Sequence, residues 1–188
     1  MRSFRRRPLR SRTPFEASHG ISASIKGRAR KRGRSFEQLE PRLFLANQPL
    51  ISEFVASNGS FLDGRGLTPD WIEIHNPTSQ AINLAGWHLT DEADNLDKWT
   101  FPGAAQSMLD PGEYLIVFAS GQDIETYIDP AGYLHTDFEL SADGEYLALT
   151  DPNDVIIHEF APNYPRQVHD VSYGLLPNTT TVTLIDQS

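Results

Sequence analysis

The chain has 188 residues, no cysteine and a formal net charge of −9. Disulfides and thiolate metal sites are therefore excluded, and no apolar stretch approaches the roughly 20 residues that a membrane-spanning helix needs. The charge is unevenly divided. Residues 1–46 carry 13 Lys/Arg against Glu16, Glu37 and Glu40, a net of +10. Residues 47–188 carry only Arg65, Lys98 and Arg166 against 22 acids, a net of −19. This asymmetry marks a basic arm joined to an acidic domain. Phosphate binding needs clustered positive charge, so the acidic domain is poorly suited to nucleic acid.

In chain order the arm comes first. Residues 1–35 are dense in Arg, Ser and Gly and lack apolar periodicity. They carry too little apolar surface to offset the entropy of ordering, so the expectation is a disordered basic arm. Residues 28–34 would serve as a nuclear localisation or nucleic-acid patch, and an Arg- and Ser-rich start also fits a transit peptide. A secretory signal would follow its basic region with an apolar segment of roughly 7–15 residues. Here the apolar run is only Leu43-Phe44-Leu45-Ala46. The junction reads Phe36-Glu37-Gln38-Leu39-Glu40-Pro41-Arg42-Leu43-Phe44-Leu45-Ala46. It resembles the LEPR-XLL motif near the N-termini of large secreted or surface proteins of planctomycete-type bacteria. Leu39, Glu40, Pro41 and Arg42 match the motif, and Leu45 matches its last leucine. Phe44 stands where the first of the two leucines is expected. The resemblance implies export to the outside or the cell surface.

From Leu50 the composition changes, and short alternating runs are punctuated by turn residues. Residues 50–56 read as a first strand, 57–69 as a polar Gly-rich loop, and 70–75 (DWIEIH) as a second strand. Residues 82–84 and 87–90 follow, with Gly86 permitting a bend or bulge between them. Residues 91–97 form an acidic turn, and 98–101 a short strand ended by Pro102-Gly103. Asp110-Pro111-Gly112 is a tight-turn signal before residues 113–119, whose apolar character on both faces predicts an interior strand. Residues 122–134 are a polar excursion. Runs at 136–140 and 145–150 flank Asp143-Gly144, a hairpin signal. Asp151-Pro152-Asn153-Asp154 turns the chain into 155–160, and residues 168–173 and 180–185 are the last strand candidates. No helical stripe is sustained. The prediction is an all-β antiparallel sandwich or barrel. Its predicted core is Ile72, Ile74, Leu84, Trp87, Leu89, Leu115, Val117, Phe138, Leu140, Leu147, Leu149, Ile156 and Phe160.

The blocks DWIEIHNPTSQAINLAGWHLTD, KWTFP, LDPGEYLIVFASG, HTDFELSADGEYLALTD and DVSYG stand in this order over roughly residues 50–176. They resemble a bacterial lamin tail domain, which implies an immunoglobulin-like antiparallel β-sandwich. The expected organisation is an arm over 1–46, the sandwich over 47–176, and a C-terminal strand or tail over 177–188. The sequence lacks the heptad rod of nuclear lamins and a Pro-rich exit, and a truncated reading frame is expected. In bacteria the resemblance implies an extracellular accessory module beside hydrolases or adhesive repeats.

Candidate chemistry is sparse. His75, His88, His135, His158 and His169 fit no metal-binding spacing. His169-Asp170-Val171-Ser172 holds the letters of a catalytic triad, but strand neighbours point to opposite faces. Asp91, Asp94 and Asp97 offer oxygen ligands for calcium without the spacing of an EF-hand loop, and the resemblance explains them as a hairpin turn. Trp71, Trp87 and Trp99 are read as packing residues rather than a glycan-stacking platform. Asn58-Gly59-Ser60 and Asn178-Thr179-Thr180 match glycosylation sequons, read as chance in a bacterial chain. The leading expectation is a non-catalytic interaction or adhesion module of an exported or cell-surface protein, binding a protein or glycan without a cofactor. The alternative is an accessory domain of a larger secreted hydrolase whose catalytic part lies outside the chain. A third reading is an intracellular nucleic-acid protein acting through residues 28–34.

Overall fold

The structure is a computed structural model that describes residues 47–122 and 128–175, together with the backbone of a strand at Val182–Ile185. The sorting-type residues Leu39, Glu40, Pro41, Arg42 and Leu45 lie outside the described residues, as does the sequon at 178–180. The fold is all-β. Its strands are β1 (Leu50–Val55), β2 (Asp70–His75), β3 (Ile82–Asn83), β4 (His88–Thr90), β5 (Trp99–Thr100) and β6 (Met108–Leu109). They continue with β7 (Tyr114–Ala119), β8 (Leu134–Thr136), β9 (Leu147–Thr150), β10 (Ile156–Phe160), β11 (Ser172–Leu175) and β12 (Val182–Ile185). A single 3₁₀ turn, Ala105–Ser107, is the helical element among the described residues.

One sheet has the order β12-β11-β1-β2-β7-β8, the other β10-β9-β4-β5, and β3 pairs with β6 as a two-stranded ladder. β2 alternates and buries one apolar row, whereas β7 is apolar on both faces. Ile72 and Ile74 of β2 lie opposite Val117 and Leu115 of β7. Against them pack Leu89 of β4, Trp99 of β5, Leu147 and Leu149 of β9 and Phe160 of β10. Phe54 of β1 joins the layers: its ring meets Phe160, Tyr164 and Tyr173 at 5.1, 4.7 and 5.6 Å. The predicted core is buried at ten positions, and Trp87 and Leu115 are half-buried against it. Ile156 is a correction: it opens edge strand β10 and is 42% exposed.

One further expectation is corrected. Residues 136–140 and 145–150 do not form a hairpin across Asp143-Gly144. β8 joins the larger sheet, pairing parallel with β7, while β9 lies between β4 and β10 in the smaller one. β7 is apolar on both sides of its ladder and accepts β8 as its second neighbour. The Gly144 amide closes a turn onto the Ser141 carbonyl, and Tyr164 donates its hydroxyl to that same carbonyl at 3.0 Å. The sheets are antiparallel as expected, with β7–β8 the one parallel pair among the described strands. The turn at 151–154 also joins β9 to β10 as expected, with Asp154 at φ 59°.

A register shift in β1 decides what faces outward. Pairing slips between Ile51 and Glu53 opposite β2, so Ser52 is the extra residue of a β-bulge. Ile51 and Phe54 both enter the core. Glu53 and Val55 then stand on the outer face, opposite Glu73 and Trp71. Loops cap both outer faces. Residues 91–98 lie over the smaller sheet, where Thr90 and Thr150 donate hydroxyls to the Asn95 and Leu96 carbonyls. Residues 57–69 lie over the larger sheet, where Phe61 stacks on Phe118 of β7 at 5.5 Å.

Candidate functional site

Two constellations gather polar groups beneath and beside the loop at 57–69. The first is buried. Asp63, Asp129 and His135 bring their ligand-type atoms within 4.8 Å of one another. The loop residue Asp63 accepts the Arg65 and Leu67 amides at 2.8 and 3.0 Å, and its other oxygen meets the Arg65 guanidinium at 2.7 Å. Asp129 accepts the Ala131 and Tyr133 amides through one oxygen, and the Gly64 amide and His135 Nε2 through the other. A carboxylate only accepts, so Nε2 carries the proton and Nδ1 accepts from the Ser120 hydroxyl at 2.8 Å. Burial pushes both carboxyls up, yet the converging hydrogen bonds outweigh it and hold them below the usual range. Burial lowers His135, against the Asp129 hydrogen bond, and favours the neutral ring.

Every carboxylate oxygen in this cluster already accepts N–H donors, and a cation would have to displace them. The arrangement is therefore a latch: it ties the loop at 57–69 to the turn at 129–133 and to β8. Ser120, His135 and Asp129 do form a hydrogen-bonded series. The acidic partner, however, sits on Nε2 of a fully buried ring, where no substrate reaches the base.

The second constellation is open. A groove of about 470 Å³ lies on the outer face of the larger sheet, lined by Glu53, Asn58, Phe61, Trp71, Glu73 and Asp170 among others. Trp71 and Phe61 meet edge to face at 6.0 Å. Glu53 and Glu73 are direct cross-strand partners. Glu73 accepts the Ser52 hydroxyl at 2.6 Å. Burial raises its carboxyl, the Ser52 bond opposes the shift, and the Glu53 charge adds to it. Glu53 Oε1 is buried and lacks a hydrogen-bond partner. Asp170 holds the rim by accepting the Gly59 amide at 2.6 Å.

Residues 46–163 match the family model described as Lamin Tail Domain, well over half of the chain. The chain belongs to the lamin tail domain family. No curated protein matches it. The lamin tail fold is immunoglobulin-like, in keeping with the two-layer sheet arrangement here, and the family is a non-enzymatic one. The family match ends before β11, whose pairing with β1 completes one wall of the groove.

Within this lamin tail domain the sequence-predicted residues scatter. Asp91, Asp94 and Asp97 do not converge into a ligand cluster; Asp91 and the neighbouring Glu92 ion-pair with Lys98 at 2.7 and 2.6 Å. Trp99 is buried in the core and Trp87 packs half-buried against it. Trp71 lies outside the core, half-buried on the outer face of the sheet, where it packs edge to face on Phe61 and lines the groove. His169 meets Ser57 at 3.3 Å and Asp170 at 3.5 Å on the exposed rim, and Ser172 is not part of that set. His88 contacts Thr100 at 3.0 Å, and His75 stacks on Tyr114 at 4.2 Å. His158 is desolvated in β10, which pulls its ring down to about 4. Sequence reasoning missed the latch because its members are 72 positions apart, although Asp63-Gly64-Arg65-Gly66 and Asp129-Pro130-Ala131-Gly132 are both turn signals. It missed the groove because a bulge creates it.

Proposed function

We propose that this lamin tail domain is a non-catalytic interaction module of an exported or cell-surface protein, and that the groove on its larger sheet is the surface that engages a protein partner. The observation that carries the reading is the groove itself, a concave site lined by the adjoining Trp71 and Phe61 rings and by the Glu53, Glu73 and Asp170 side chains on an otherwise capped sheet face. The latch supports it by fixing the loop that supplies Phe61, so the partner meets a preorganised surface. The resemblance of residues 36–46 to a sorting motif supports export.

The test uses the fluorescently labelled full chain on intact cells of the source organism. Saturable surface binding that is lost in Ser60→Trp, with the melting temperature retained, is the expected result. Equal binding by Ser60→Trp rules out the groove as the surface, and no saturable binding rules out adhesion. Fractionation of the tagged chain tests export separately, where recovery from the cytosol alone overturns it.

A further inference from the structure

We infer that the groove on the larger sheet takes an arginine side chain presented by the partner protein, its guanidinium held between Glu53 and Glu73 against the Trp71 ring. The inference rests on the binding-module reading and specifies the partner's chemistry. Four observations carry it.

The first is charge. Glu53, Glu73 and Asp170 line the groove, and among the described residues no Lys or Arg does. The cations of the described domain are engaged elsewhere: Arg65 on Asp63, Lys98 on Asp91 and Glu92, and Arg166 on Asp143.

The second is an unmet acceptor. Glu53 is half-buried and its Oε1 is enclosed without a hydrogen-bond partner, a state that costs stability and that rotation of the side chain into the groove, toward a donor, would relieve. Third, Glu53 and Glu73 face each other across β1 and β2. Like charges in that position repel, and a cation between them turns repulsion into attraction. Their placement is imposed by the bulge at Ser52, without which Glu53 would point toward the core.

The fourth is shape. Trp71 and Phe61 wall the groove, and a guanidinium is a planar cation that stacks on an aromatic face while its edge donates to carboxylates. An ammonium would satisfy the charge but present neither the plane nor the fork. A neutral glycan would leave the Glu53 oxygen without the charge-assisted donor it lacks.

The experiment is an NMR titration of the ¹⁵N-labelled full chain with three acetylated and amidated peptides, Gly-Arg-Gly, Gly-Lys-Gly and Gly-citrulline-Gly. Following the Trp71 indole N–H localises binding to the groove. The arginine peptide is expected to shift that signal and bind at least tenfold more tightly than the citrulline peptide. The Glu53→Gln/Glu73→Gln variant should lose at least tenfold, with its melting temperature unchanged or raised. Asp94→Asn/Asp97→Asn removes equal charge from the exposed turn and should bind within twofold of wild type. Equal binding of arginine and citrulline peptides, or no shift at all, overturns the inference. So does equal loss in the Asp94/Asp97 variant, which would mean diffuse attraction. Lysine binding as tight as arginine overturns the guanidinium assignment. Saturable cell binding that survives Glu53→Gln/Glu73→Gln but not Ser60→Trp would leave the module reading standing and remove this one.

Discussion

Truncating Asp129 tests whether the latch holds the loop over the larger sheet. Its side chain is the acceptor for four donors: the Gly64, Ala131 and Tyr133 amides at 2.5, 2.9 and 3.0 Å, and His135 Nε2 at 3.2 Å. Asp129→Ala orphans all four. A buried donor left unsatisfied costs about 1–3 kcal/mol, and water entering the space vacated by the carboxyl recovers part of that. The expected loss is about 3–5 kcal/mol, a large share of the roughly 5–15 kcal/mol that stabilises a typical domain. Asp129→Asn keeps one acceptor oxygen but turns an amide N–H₂ toward the Gly64 amide and His135, and should cost about 2–3 kcal/mol. Urea unfolding at pH 7 with an unchanged m-value measures both. A loss below about 1 kcal/mol for Asp129→Ala would show that the donors are solvated and that no latch exists.

The remaining predictions concern pH, packing and backbone. Burial, opposed by the Asn58 amide and reinforced by Glu139 and Glu145, pushes the Asp70 carboxyl up to about 6 from an ordinary 3.8. A raised acid stabilises the fold only at low pH, and that contribution is lost as pH climbs from about 4 to about 6. Asp70→Asn, which keeps the acceptor for Asn58, should therefore stabilise at pH 7 by about 1 kcal/mol once partial exposure is discounted, and by nothing at pH 3.5 in thermal melts. Asp63 and Asp129 have the opposite sign: their contribution is full at neutral pH and disappears as acid reaches their depressed folded values. Trp99→Ala should cost about 3–5 kcal/mol, and Trp87→Ala less, about 2–3 kcal/mol, because only Trp99 is fully enclosed; reversed order in urea titrations would contradict the packing described. Gly174→Ala drives its Cβ into the Ser52 carbonyl and the Glu53 backbone, separating β1 from β11 at a cost of about 3 kcal/mol; a melting temperature like that of wild type would contradict the close approach.

What the sequence made legible was whatever a single segment determines. β2 and β7 alternate or run apolar over six residues each and appear where those patterns predict. The family blocks carried the sandwich. The failures came where tertiary demand overrode a local cue. Asp143-Gly144 does turn the chain, but β7 needs a neighbour on its outer side, so the segment before the turn joins one sheet and the segment after it the other. The bulge at Ser52 was also invisible, since an alternating reading of LISEFV cannot say where the register slips. Period-2 reasoning puts Ile51 and Glu53 on one face; the structure sends Ile51 inward and Glu53 outward.

That slip bears on function because it works against stability at the place where it occurs. A sandwich selected for stability alone would not set two glutamates opposite each other beside a half-buried tryptophan. Other acids of the described domain are neutralised: Lys98 bridges Asp91 and Glu92, and Arg65 answers Asp63. Local rules are broken mainly at sites where the penalty serves binding, and here the penalty is electrostatic, so a cation bound between the two carboxylates would relieve it. If the groove were merely a packing defect, Glu53→Gln/Glu73→Gln would stabilise the fold and change nothing else. If it is a binding site, the same variant gains stability and loses its ligand together, and that coupled outcome separates the two.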